Sequence, residues 1–124
     1  MEFELHNIRK EDVAIRFYGD KGNRQYRVTR GSRNDSFVGK LSEEEWSIFA
    51  ERLFSEVFID KWKPNYFSSR IHDGSTWTVN VSFEKKHALS FHGCNCYPAY
   101  WNCLVDVLSP YCRRCDIEIP VAVN

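Results

Sequence analysis

All five cysteines of the chain lie between Cys94 and Cys115, in the stretch FHGCNCYPAYWNCLVDVLSPYCRRC that begins at Phe91. Cys94 and Cys96 form a C-x-C pair, Cys112 and Cys115 a C-x-x-C pair, and fifteen residues separate the two. That spacing is close to the paired C-x-x-C arrangement that holds zinc. Four thiolates would satisfy the tetrahedron zinc prefers, and the neighbouring Arg113 and Arg114 favour thiolate over thiol. A structural zinc on Cys94, Cys96, Cys112 and Cys115 is therefore one expectation. The other is a set of reduced thiols that pack as small apolar residues. Three features favour the second: the first pair lacks the usual two-residue knuckle, Cys103 has no part in the quartet, and His92 competes as a ligand. An odd number of cysteines also argues against a closed disulfide framework.

Two further groups could make contacts. Arg24, Arg27, Arg30 and Arg33 recur every third residue, with Tyr26 and Phe37 as aromatics that could stack on bases. This is a candidate nucleic-acid or phosphate surface, but on a strand a period of three scatters side chains over both faces. The alternative reading is a solvated hairpin whose arginines deter edge pairing. In DKWKPNYF, Trp62 lies between lysines ahead of a proline and is the tryptophan expected to be exposed. With Tyr66 and Phe67 it would make an aromatic partner-binding spot; the competing reading is a lid over a helix end. No Ser-His-Asp order is legible among His6, His72, His87 and His92, there is no phosphate-binding glycine loop, and a His92–Cys94 pairing is the only hint of a nucleophile. A non-enzymatic protein is the expectation.

The elements that position these groups follow from periodicity. MEFELHNI alternates, with Phe3 and Leu5 opposite Glu2, Glu4 and His6. Val13, Ile15 and Phe17 oppose Arg16 and Tyr18, and the turn formers GDKGN (19–23) lead into a return strand through Tyr26 and Val28. SFVGKL adds a possible fourth strand. LSEEEWSIFAERLFSEVFIDKW (41–62) predicts a helix. Ser42 and Glu45 form a capping box, and Trp46, Phe49, Leu53 and Val57 make an apolar stripe that Ile48, Phe54 and Phe58 widen. Beyond it, Asp73-Gly74 is a turn signal before a strand through Trp77, Val79, Val81 and Phe83, and a second strand passes through Leu89 and Phe91. Ala99 to Leu108 predicts a second helix, limited by Pro110, and the tail could add an edge strand through Ile117 and Ile119. Strands in runs, not alternating singly with helices, imply a single α+β domain over 1–124: an antiparallel sheet of about five strands with two helices on one face, in the order β-β-β-(β)-α-β-β-α.

The bulk composition agrees with one folded domain. The chain has 124 residues, 43% hydrophobic and 15% aromatic, with seventeen basic and seventeen acidic residues. A net charge of zero supplies no global field toward nucleic acid or membrane. Residues 1–40 carry nine basic against six acidic side chains and residues 41–69 three against six, a modest segregation. Neither a signal-peptide run nor a membrane-length apolar run is present, so a cytoplasmic protein with reduced thiols is expected.

DGSTWTVNV and GCNCYPAYW resemble a signature, D-G-x-x-W followed by G-x-N-x-Y-P-x-x-W, of small, mostly uncharacterised bacterial proteins associated with Firmicutes and mobile elements. The matching residues are Asp73, Gly74, Trp77, Val79, Val81, Gly93, Asn95, Tyr97, Pro98 and Trp101. The resemblance implies fold-specifying roles: an unusual backbone turn at Gly93 and Asn95, a helix start at Tyr97-Pro98, and Trp77 meeting Trp101 across a sheet–helix interface. Cys94 and Cys96 fall at its variable positions, so it brings no zinc and no activity. Together with size, aromatic content and segregated charge, it leads to the expectation of a protein-binding module, an inhibitor or immunity-type protein, with nucleic-acid or phosphate binding or a zinc-stapled domain as alternatives.

Overall fold

The computed structural model of the chain describes residues 2–8, 12–20, 22–31, 35–67, 76–83 and 87–113. Four strands form a meander: β1 (Glu2–Ile8), β2 (Asp12–Asp20), β3 (Asn23–Arg30) and β4 (Asp35–Lys40). Helix α1 (Glu43–Ser55) and a 3-10 turn (Ile59–Lys61) lead to a short strand, β5 (Asn65–Phe67). The hairpin β6 (Thr76–Phe83) and β7 (His87–Cys94) and helix α2 (Trp101–Arg113) follow. The strands lie in one sheet in the order β4-β3-β2-β1-β6-β7-β5.

The α+β class with helices on one face is as the periodicity predicts, but the sheet is larger and mixed. It has seven strands instead of about five. β5 runs parallel to β7, with Asn65 opposite His92 and Phe67 opposite Cys94. Three residues are too few for a period-two signal. What makes β5 a strand is its docking, anchored by the His92 amide donating to the Pro64 carbonyl at 2.9 Å. The chain leaves β4 at one edge of the sheet and reaches β5 at the other, so α1 and the 3-10 turn carry it across the covered face.

Both helices pack on that one face. Phe3, Leu5, Ile15, Phe17, Val28, Trp77, Val79 and Val81 are essentially inaccessible. The Phe49 ring of α1 meets Phe17 edge-on at 4.1 Å between centroids, and the Tyr111 ring of α2 meets Phe17 at 4.9 Å. Trp77 and Trp101 meet at 5.0 Å across the sheet–helix interface.

Both helices depart from expectation at their C-termini. The capping box at Ser42 and Glu45 forms as read from the sequence. However, α1 ends at Ser55, and Phe58 takes a left-handed conformation (φ 53°) that a bulky residue adopts only under tertiary constraint. The bend sets Val57, Ile59 and Trp62 inward; Ile48 and Phe54 within α1 and Phe58 at the bend are 36–48% exposed, so the buried stripe is narrower than its apolar sequence. Helix α2 runs to Arg113 with Pro110 inside it. Pro110 is exposed, while Tyr111 and Cys112 beyond it are buried. That burial against β2 and β3 overrides the cost of the missing amide.

Candidate functional site

Because side chains alternate along a strand, the residues between the core positions build the second face of the sheet, which no described helix covers. The strand register sets them in rows. One row runs Val38, Arg27, Arg16, Glu4, Asn80, Ser90, and the next Ser36, Thr29, Ala14, His6, Thr78, His92, Asn65.

Several of these side chains hold one another. The Ser90 hydroxyl donates to Asn80 Oδ1 at 2.7 Å and lies 3.4 Å from His92 Nε2. Tyr18 donates to Gln25 Oε1 at 2.9 Å, and Gln25 donates on to Asn23 Oδ1 at 3.1 Å. Arg16 lies over the Tyr18 ring at 4.7 Å and 3.7 Å from Glu2. His6 Nε2 is bonded to Asp12 Oδ1. The described charged side chains of this face are Glu2, Glu4 and Asp12 against Arg16, Arg27 and Lys40, three of each sign. Ser90 gives its proton to an amide oxygen, not to His92, so the Ser90–His92 pair is not arranged as nucleophile and base. The face offers donors, acceptors and paired charges to a second surface.

The sequence-predicted groups are distributed as follows. Arg27 lies on the open face, whereas Arg24 and Arg30 share the register of Tyr26 and Val28 and belong to the covered side; Arg33 lies outside the described residues. The arginine period is thus split across the sheet. Nor do Arg24, Arg27 and Arg30 guard an edge, since β3 lies between β2 and β4.

Trp62, expected at the surface, is 7% exposed. Its indole donates to the Val57 carbonyl at 2.9 Å, and its ring packs on Phe91 at 5.4 Å and Trp77 at 6.0 Å. The flanking lysines misled because they mark a bend, not a helix face. Tyr66 is half-buried against Trp77 and accepts the Lys63 amide at 2.8 Å. Phe67 alone of the three projects, 69% exposed, on the open face beside Cys94.

Cys94 ends β7 on the open face opposite Thr76. Asn95 then turns left-handed (φ 56°), so Cys96 leaves the strand and does not continue on the side of Cys94 as extended geometry would place it. Cys112 is buried on α2, on the covered side. Cys94, Cys96, Cys103 and Cys112 form no disulfide with one another, and no three His, Cys, Asp or Glu among the described residues are grouped to hold a metal. Cys115 lies outside the described residues, as do Asp73, Gly74, Ile117 and Ile119.

Trp77, Gly93, Tyr97 and Trp101 form one aromatic centre instead. Trp77 stacks on Tyr97 at 6.2 Å and donates to the Cys96 carbonyl at 2.8 Å. Gly93 lies under the Trp77 ring, where a Cβ would collide with the indole. Its requirement is thus close approach, not a turn; the turn belongs to Asn95. The Trp101 amide donates to the Pro98 carbonyl at 3.1 Å as α2 begins.

No protein-family model matches this chain, and no curated protein matches it. No described helix is long and apolar enough to cross a membrane.

Proposed function

We propose that this chain is a non-enzymatic protein-binding module that engages its partner through the open face of the sheet, with Phe67 at the margin of the contact. The observation that carries this reading is the composition of that face: among the described residues, paired side chains with charges of both signs. A protein surface can match mixed charge, whereas a polyanion needs a field of one sign. Tyr18, held under Arg16, supplies the kind of rigid amphipathic ring that anchors protein contacts. The resemblance to small bacterial mobile-element proteins extends the reading to an inhibitor or immunity-type role.

The test is quantitative capture of a stoichiometric protein partner by wild type and two variants. Asn80→Arg puts a long cation in the middle of the open face, and Asp106→Arg alters an exposed position on α2. The first should weaken capture at least about tenfold and the second leave it unchanged. Equal loss in both, or no stoichiometric protein partner, overturns the reading. Binding to RNA with an affinity that falls with salt supports the nucleic-acid alternative, of whose four arginines the open face presents Arg27, opposite Arg16.

A further inference from the structure

Strand β4 ends the sheet, with β3 as its sole neighbour among the described strands. Its hydrogen-bonding phase can be read directly. The Leu41 amide donates to the Arg24 carbonyl at 2.9 Å. In an antiparallel ladder, bonded pairs alternate with non-bonded ones. From Arg24–Leu41 the bonded pairs are therefore Tyr26–Gly39 and Val28–Phe37. The pairs Gln25–Lys40, Arg27–Val38 and Thr29–Ser36 are non-bonded. The amides and carbonyls of Ser36, Val38 and Lys40 consequently point away from β3, and no other described strand pairs with them. The two exposed apolar side chains of the strand, Phe37 at 42% and Val38 at 46%, sit on opposite faces of this edge.

We propose that β4 is a self-pairing edge, through which a second copy of this chain adds antiparallel about a two-fold axis at Val38. A perpendicular two-fold axis keeps each residue on its own face, so facing residues differ by an even number. With Val38 on the axis, Val38 faces Val38, Ser36 faces Lys40, and Phe37 faces Gly39. This register uses every outward-pointing amide and carbonyl of Ser36, Val38 and Lys40. It buries Val38 against its own copy and lays each Phe37 over the other copy's Gly39. There the Tyr26 ring already occupies the place of a Cβ and offers an aromatic neighbour. The register also avoids charge repulsion. Each Lys40 faces a serine, and the two lysines stand about 14 Å apart along the ladder at 3.4 Å per residue, beyond a Debye length of about 8 Å. A ladder this short is smaller than a standard interface, so the dimer is a weak one, with Kd above about 1 µM. The open faces of the two copies become one continuous surface.

Cysteine cross-linking reads out both the dimer and its register. Facing residues of a bonded antiparallel pair have Cα atoms about 5.5 Å apart, within the span a disulfide bridges. Under oxidised glutathione, Val38→Cys should give a covalent dimer well above the wild-type background from its own thiols. Ser36→Cys and Lys40→Cys should each stay at background alone and cross-link when mixed. Val38→Pro removes an amide that points away from β3 and bonds to no described residue, and should weaken association by sedimentation at least about tenfold with an unchanged circular-dichroism spectrum. If that variant fails to fold, Val38→Lys takes its place. A monomer at millimolar concentration with Val38→Cys at background overturns the proposal. So does cross-linking of Ser36→Cys with itself, which requires another register.

Discussion

The two faces of the sheet are built from the same strands, yet they are made by different physics. On the covered face the core residues interlock as rings and branched chains, and Asn7 is the one polar residue buried among the described ones. On the open face, side chains one position away hold each other by hydrogen bonds and exposed ion pairs such as Arg16–Glu2, whose side chains are 49% and 57% exposed. Contacts of that kind contribute little to stability, because water competes for both partners and salt screens them. The covered face thus sustains the fold, and the open face is free to be shaped by what it meets.

Truncation at the aromatic centre tests this contrast most severely. Trp101→Ala removes a ring packed on Trp77, Trp62 and Tyr97. It should cost about 3–5 kcal/mol in denaturant unfolding; a loss under about 1 kcal/mol would mean that the two faces do not divide the work.

A second substitution sharpens the comparison from within the covered face. Both side-chain polar atoms of Asn7 are buried without a hydrogen-bond partner among the described residues, at the register of Val13 and Trp77. An unmade bond of this kind costs about 1–3 kcal/mol, so Asn7→Leu should raise the unfolding midpoint or leave it unchanged. A fall of about 2 kcal/mol would show that the amide is satisfied in solution, and that the covered face holds a polar site.

The smallest effect belongs to the open face. Ser90→Ala removes the hydroxyl that bridges Asn80 and His92. Thermal unfolding should move by no more than about 0.5 kcal/mol, while affinity for a partner docked on that face should fall severalfold. A larger stability change would make the Asn80–Ser90–His92 chain a structural element.

The residues that sequence reading placed well share a local cause. Alternation assigned Phe3, Leu5, Ile15, Phe17, Val28, Val79 and Val81 to one side, and the structure buries them together. Ser42 and Glu45 cap α1 because a capping box is complete within four residues. The meeting of Trp77 and Trp101 is an expectation that the ring distance bears out. The misplaced residues depend on contacts between distant segments. Trp62 is polar in its neighbours and apolar in its surroundings, because the left-handed Phe58 turns it under Phe91. Pro110 stops a helix in isolation but not one whose next turn is buried.

The open face was present in the sequence as the other half of every alternation, but not as a site. That Arg16 and Arg27 lie side by side, that Ser90 reaches Asn80, and that Ser36, Val38 and Lys40 turn their amides outward are matters of register between strands. Local sequence determined which residues face in or out, and where helix α1 begins, because those signals are complete within a few residues. The tertiary structure alone decided which strands neighbour one another, which strand became an edge, and which polar residues were gathered on one surface, because strand pairing is settled by burial summed over the whole chain.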